Sequence, residues 1–214
     1  MFFHLIELSK NPIMFLGFIV FLVMPLLFSI SFHELAHGYI AYKFGDITPK
    51  MQGRLTLNPL AHLDPAGTIM LFLIGLGWAK PVIINLQNIP DRTQQMLVAL
   101  AGPASNFLLA VVFALFVSIT PQNHEFIITL FDMVVKINLG LMLFNLLPIP
   151  PLDGSRIVSW LLPPELERQY NSIEPYGIFI LLIIIFTVGF GFIFQISSKI
   201  KMFLYGLMQI QGLS

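Results

Sequence analysis

The chain has 214 residues, of which 57% are hydrophobic and only 10% are charged, and its 11 Lys and Arg balance 11 Asp and Glu. A soluble domain carries about 25% charged residues, so this composition predicts an integral membrane protein. The neutral balance offers no basic surface to nucleic acid, and the lack of cysteine excludes disulfides and thiolate metal sites. Histidines and carboxylates remain as the strong metal ligands.

Four apolar windows are long enough to cross a membrane, since a spanning helix needs about 20 residues. They cover residues 12–43, about 94–119, about 126–147 and about 173–196. Another apolar stretch, at 67–78, is too short to cross and is expected to be re-entrant or interfacial. We predict an all-α polytopic protein that forms one domain over residues 1–214, with a core at about 12–160 and a last transmembrane helix at about 173–196.

The first window ends in the segment FHELAHGYIAYKFGD, residues 32–46. On a helix, His33 and His37 share a face, so both imidazoles can reach one ion at about 2.0 to 2.1 Å, with Glu34 beside them. In this H-E-x-x-H pattern the histidines bind zinc and the glutamate is a general base. The alternative is a pair of histidines that hydrogen-bond inside a helix bundle. A spanning helix makes each ionisable group cost at least ~2.5 to 3.5 kcal/mol, which favours a bound divalent cation.

Two short segments after the first window have the patterns of strands. Residues 53–57, GRLTL, alternate in polarity, and residues 81–85, PVIIN, are rich in β-branched side chains. We expect a small β hairpin or sheet at the cytosolic face. It either covers the metal as a structural hairpin or offers an edge, through Arg54, Leu55 and Thr56, that pairs with an unwound substrate.

Other polar residues have ordinary structural interpretations. His62 could hydrogen-bond within its loop, support a metal ligand or act as an extra ligand. Asp132 and Lys136 are four residues apart in the third window, which indicates an ion pair on one helix or an amphipathic helix start. The segment from Ser198 onward has the composition of an interfacial helix.

The segment FNLLPIPPLDGSRI, residues 144–157, offers a third metal ligand. Its prolines must end the helix that passes through Asn145, and irregular backbone at membrane depth is tolerated where it lines a protein cavity. Asp153 can therefore be the third ligand of a catalytic zinc, or alternatively the N-cap of the next helix. Asn145 can cap its own helix or donate a hydrogen bond to a substrate carbonyl or oxyanion.

The distribution of basic residues predicts the orientation. If the first helix ends in the cytosol, seven basic residues lie on the inner side and three on the outer side, as the positive-inside rule requires. The inner residues are Lys43, Lys50, Arg54, Lys80, Arg92, Arg156 and Arg168, and the outer ones are Lys10, Lys199 and Lys201.

Taken together, the motifs resemble the site-2 protease family of intramembrane zinc metalloproteases, in its compact bacterial branch. The match comprises H-E-x-x-H at residues 33–37 and N-x-x-P-x-x-P-L-D-G at residues 145–154, with support from 53–68, 77–82 and 101–106. It covers about residues 12–160, and the chain departs from larger members in having no PDZ insertion and no nucleotide-sensing domain. The resemblance implies one Zn²⁺ per chain on His33, His37 and Asp153, Glu34 as the catalytic base and Asn145 in contact with substrate.

The expected function is hydrolysis of peptide bonds in or near the transmembrane segment of a membrane-anchored substrate. We expect a multi-pass protein of the inner or plasma membrane, with its active site near the cytosolic side and no nucleic-acid partner. The alternatives are a zinc transporter or channel, since intramembrane histidines and carboxylates also mark ion pathways, and an inactive protease-like scaffold.

Overall fold

Helices make up most of the part of the chain that the structure describes, and the longest are apolar. The computed structural model describes residues 19–74, 80–187 and 189–210, together with residues 11, 13, 16 and 17. A π-helical turn at Ile19–Val23 leads into the first helix. The α-helices are α1 (Met24–Lys43), α2 (Thr48–Met51), α3 (Pro65–Ile74), α4 (Arg92–Ile119), α5 (Glu125–Asn145), α6 (Asp153–Leu161), α7 (Pro164–Asn171), α8 (Gly177–Thr187) and α9 (Gly191–Leu207).

Within the described residues, four stretches are long and apolar enough to cross a membrane. They are Val20–Lys43, Arg92–Ile119, Glu125–Asn145 and Pro164–Thr187. The first three confirm the first three predicted spans, and the chain is a multi-pass membrane protein. The predicted start of the first span at residues 11–12 and the end of the 67–78 segment fall partly outside the described residues. The described part of that segment is helical, as α3, and its re-entrant or interfacial placement stays a prediction.

The ends of these helices follow local rules. Pro25 follows the π-helical turn directly and lies in the first turn of α1, and α1 ends just before Gly45, whose φ of +105° favours glycine. Asp91 caps α4 by accepting hydrogen bonds from the N–H groups of Thr93 and Gln94. These signals mark the end of α1 and the start of α4.

Helix α4 lies at the centre of the bundle and packs against α1, α5 and α6. At the far end of the bundle its small residues Ala110 and Ala114 are completely buried against α5 and α9. The buried residues of this cluster are Ala110, Ala114, Val117, Ile128, Val135, Leu139, Met142, Leu204 and Tyr205. Small side chains on α4 let the neighbouring helices approach closely.

The predicted fourth span, at about 173–196, is not one continuous helix. Helix α8 ends at Thr187 and α9 begins at Gly191. Between them Gly189 has a φ of +71°, a left-handed conformation that a helix cannot contain. The apolar composition of the stretch is uniform, so the hydropathy that predicted one helix carried no sign of the break.

Helix α9 runs antiparallel to α5 instead of lying alone at the interface. Phe190 stacks near Phe144 with ring centroids 6.0 Å apart, while further along Lys201 Nζ lies 3.3 Å from Asp132 Oδ1. Tyr205 donates a 2.6 Å hydrogen bond to the same carboxylate. The predicted interfacial helix from Ser198 is thus part of the bundle, and Lys201 is a buried residue, not an outer-loop charge.

The predicted Asp132–Lys136 ion pair is confirmed, with an Oδ2–Nζ distance of 2.6 Å. The predicted β hairpin is not confirmed, because neither 53–57 nor 81–85 is a strand and no strand occurs among the residues that the structure describes. Gly53 has a φ of +66° and forms a turn. The N–H groups of Val82 and Asn85 bind the carboxylates of Glu34 and Asp46, which occupies donors that a strand would pair with its neighbour.

Candidate metal centre and cavity

Two turns of α1 and the start of α6 bring three electron-pair donors together. His33 Nε2 and His37 Nε2 are 3.0 Å apart, and each is 3.2 Å from Asp153 Oδ2. Both histidines are 7% exposed. These three residues form a group that could hold a metal ion.

The other nitrogen of each imidazole is already bound. His33 Nδ1 lies 2.6 Å from Asn106 Oδ1, and His37 Nδ1 lies 2.7 Å from the Val98 carbonyl oxygen. A carbonyl oxygen can only accept a hydrogen bond, so each Nδ1 carries the proton of its imidazole. In the neutral imidazole, Nε2 then has a free lone pair. Two nitrogen lone pairs and a carboxylate oxygen therefore face one another with no proton among them.

This donor set fits a zinc ion. Asp153 Oδ2 is buried and has no hydrogen-bond donor among the described residues, which is costly unless a cation or proton is bound there. In a tetrahedral site with bonds of about 2.0 to 2.1 Å, ligand atoms lie about 3.3 Å apart, close to the separations here. Three protein ligands with an open fourth position are typical of catalytic zinc.

The hydrogen bond to His33 belongs to a buried polar chain across three helices. Asn106 Nδ2 donates to Asn138 Oδ1 at 2.9 Å, and Asn138 Nδ2 donates to Ser29 Oγ at 2.8 Å. Asn106, Asn138 and Ser29 are fully buried. Each is a polar side chain on an otherwise apolar stretch of a spanning helix, and this was the sequence signal that could have linked them to the histidines.

Close packing of α4 on α1 puts Gly102 directly against the imidazoles. A Cβ atom at Gly102 would lie 2.2 Å from His37 Nε2 and 2.5 Å from His33 Cε1. Such distances are far inside van der Waals contact, so only glycine leaves room for the histidines in this arrangement.

The proline-containing segment after α5 delivers Asp153. Residues 146–152 are not helical, the Pro150–Pro151 peptide bond is cis, and α6 begins at Asp153 itself. Gly154 packs so tightly on this segment that a Cβ atom there would lie 2.2 Å from the Leu146 carbonyl oxygen.

Glu34 and Asn145 line the same cavity as the three donors. This cavity has a volume of about 420 Å³ and extends to Arg156 on α6. Glu34 Oε2 accepts a 2.9 Å hydrogen bond from the Val82 N–H. Asn145 Nδ2 donates to the Leu141 carbonyl oxygen at 3.0 Å, within its own helix.

The structure does not bring the other predicted residues to the cavity wall. Arg54, Leu55 and Thr56 are not among the described residues that line it, and Arg54 is buried with a guanidinium nitrogen that has no partner in the part of the chain that the structure describes. His62 Nε2 donates to the Thr56 carbonyl oxygen at 2.9 Å, which matches the loop hydrogen bond among its predicted roles. Leu55 packs on α1 at Gly38, next to His37.

Comparison with known proteins relates the chain to metalloproteases. Residues 117–188 match Peptidase family M50. YwhC of Bacillus subtilis, named as a proposed zinc metalloprotease, is 44% identical over 185 residues, which is 82% of this chain and 84% of that protein. Rip2 of Mycolicibacterium smegmatis, named in the same way, is 28% identical over 83% of this chain and 71% of its own length. No solved structure matches the chain.

Proposed function

The chain belongs to peptidase family M50, and we infer from this that it is an intramembrane zinc metalloprotease whose metal is held by His33, His37 and Asp153. The observation that carries this assignment is the meeting of three unprotonated donors with Glu34 in one cavity. A transport site needs ligands alone, whereas hydrolysis also needs a proton acceptor beside them.

When bound in this site, zinc acts as a Lewis acid, which polarises a peptide carbonyl and lowers the pKa of water. Glu34 accepts the proton of the attacking water as the new C–O bond forms. It then gives that proton to the amide nitrogen as the C–N bond breaks. Asn145 lines the same cavity. Once its side-chain amide is released from the Leu141 carbonyl oxygen, the amide donates a hydrogen bond to the carbonyl oxygen of the substrate.

The substrate is a membrane protein with a transmembrane helix. A peptide carbonyl inside such a helix is already hydrogen-bonded to an N–H four residues away, so the helix must unwind locally before attack. We place the active site at the cytosolic side of the inner or plasma membrane. The excess of basic residues at the metal-binding end supports this orientation.

Residues Arg54, Leu55 and Thr56 are proposed to bind the unwound substrate, with residues 53–57 as an edge for an added strand. The position of Leu55 supports this proposal, because Leu55 packs on the turn of α1 that carries His37. Thr56→Pro removes a backbone donor from this edge and is expected to raise KM several-fold while zinc content and kcat are retained. Unaltered KM in cleavage of a membrane-anchored peptide would end this substrate-binding role.

The decisive test compares Glu34→Gln with the wild type in lipid vesicles containing a membrane-anchored substrate. The variant keeps all three metal ligands, so zinc content is expected to stay at one per chain, while cleavage falls by about 100-fold or more because the proton acceptor is lost. Glu125→Gln, at the exposed start of α5, is the matched control and is expected to cleave normally.

The same vesicles separate the alternative functions. A transporter would move zinc into sealed vesicles and cleave nothing in any variant. An inactive scaffold would bind zinc without cleavage or flux. Cleavage by Glu34→Gln at the wild-type rate would remove Glu34 from the mechanism.

A further inference from the structure

The Val82 main-chain amide is bound to the carboxylate of Glu34. Val82 N–H donates to Glu34 Oε2 at 2.9 Å, from a position 48 residues away in the chain. Val82 is 8% exposed. We propose that this amide is a positioning group, which holds the Glu34 carboxylate in the orientation needed for proton transfer; the proposal rests on the assignment of Glu34 as the base.

The amide is itself fixed by bonds on both sides. Residues 80–85, here called the cover segment, begin with the Lys80 N–H, which donates to the His62 carbonyl oxygen at 2.8 Å. They end with the Asn85 N–H, which donates to Asp46 Oδ2 at 2.8 Å. Between these bonds the Val82 side chain packs on α1 at Gly38. The cover segment therefore presents one N–H to Glu34 from a fixed position.

The two carboxylates that bind the cover segment differ in how many of their oxygens accept hydrogen bonds. Asp46 is fully buried, and both of its oxygens accept hydrogen bonds, from Thr48, Asn85 and Asn88. Glu34 uses only Oε2, and its Oε1 has no partner among the described residues. Asp46 is thus saturated as a structural acceptor, whereas Glu34 keeps one oxygen for the cavity.

This arrangement, in which Val82 binds Oε2 and leaves Oε1 for the cavity, suits both proton transfers. A glutamate side chain rotates freely about its last bonds unless one oxygen is held. With Oε2 bound to Val82, Oε1 is the oxygen that takes the proton from water and later returns it to the leaving nitrogen. Oε2 remains an acceptor whether or not Oε1 is protonated, so the Val82 bond persists through both steps.

The contact can be tested without any protease assay, by site-resolved amide hydrogen exchange on the full chain in detergent. Glu34→Ala removes the acceptor, so the Val82 amide is expected to exchange at least about tenfold faster than in the wild type. The Asn85 amide, held by Asp46, is the internal reference and is expected to keep its rate. Equal Val82 rates in both proteins would overturn the proposal.

The catalytic role is tested by Val82→Pro, which removes the N–H, against Ile83→Pro. The Ile83 N–H has no hydrogen-bond partner in the described part of the chain and its side chain is exposed. Val82→Pro is expected to lower kcat by about 10- to 100-fold, the range for losing a hydrogen bond to a charged group. KM and zinc content should stay within twofold, and Ile83→Pro should retain the wild-type kcat.

Equal kcat in Val82→Pro and the wild type, or equal losses in both proline variants, would refute the positioning role. A wild type that cleaves no substrate would contradict the protease assignment itself. Because the exchange experiment reports the Val82–Glu34 contact in either case, the two failures are distinguishable.

Discussion

Each imidazole of the metal centre presents one nitrogen to the site and is held from behind through the other. His33 is held by Asn106, and His37 by the Val98 carbonyl oxygen on the same helix, α4. Such outer contacts fix the tautomer and orientation of a histidine ligand and contribute to metal affinity. Helix α4 therefore shapes the candidate site, although none of the three residues proposed to hold the metal lies on it.

Gly102 provides the sharpest test of this packing. Gly102→Ala is expected to displace both imidazoles, because the new methyl would overlap His37 Nε2. Zinc content should fall to less than about a tenth of the wild-type value, while the helical circular dichroism is retained. Gly140→Ala is the matched control, because a Cβ there meets nothing within 4 Å. Full zinc content in Gly102→Ala would show that the histidines tolerate a shift of α4.

The individual site residues were predictable from sequence to different degrees. His33, Glu34 and His37 follow from a local pattern on one helix, and Asp153 follows from a proline-broken segment that must face a cavity. The contacts Asn106–His33 and Val82–Glu34 join residues 73 and 48 positions apart. No local pattern encodes such a pair, so only the tertiary packing reveals it.

Among the elements, the cover segment depends on Asp46. Burial would raise the pKa of the Asp46 carboxyl, but hydrogen bonds from Thr48, Asn88 and Asn85 outweigh it and lower that pKa. The folded pKa thus lies below the unfolded value of about 3.9. Asp46 therefore stabilises the fold at neutral pH, and this contribution is lost as the pH falls below about 4 and passes through the folded pKa.

Asp46→Asn tests this linkage. The variant is expected to be less stable than the wild type at pH 7 and to lose less stability between pH 5 and pH 2, because its side chain does not titrate. Unfolding in detergent, followed across this pH range, measures both effects. Asp64→Asn also removes a loop carboxylate from this region, and its stability is compared with that of Asp46→Asn. Parallel stability curves for Asp46→Asn and the wild type would contradict the role of Asp46.

Helices were easier to predict than their interruptions or the loops between them. The first three spans have long apolar sequences, and α4 also has a capping aspartate at its start; both signals are visible in sequence. The break at Gly189 lies in equally apolar sequence, and hydropathy does not report a φ angle. The hairpin prediction treated residues 81–85 as donors to a strand, whereas two of these N–H groups bind distant carboxylates.

For the whole molecule, the bundle has a metal-binding end and a far end, and their placement across the membrane can be measured directly. The chain contains no cysteine, so single cysteines report orientation without background. Gln122→Cys, in the exposed turn between α4 and α5, should react with an impermeant maleimide in intact cells. Gln52→Cys, exposed at the metal-binding end, should react only after the membrane is opened. The reverse labelling pattern would invert the orientation.

The three residues proposed to hold the metal are far apart in the chain, with two on α1 and the third at the start of α6. During synthesis on the ribosome, the nascent protein carries both imidazoles long before the aspartate emerges from the exit tunnel. An incomplete chain lacks the third of these residues, so the three-residue group cannot form while the protein is still being synthesised. On the proposed ligand set, peptidase activity requires that translation has passed the fifth and sixth helices and that both have docked.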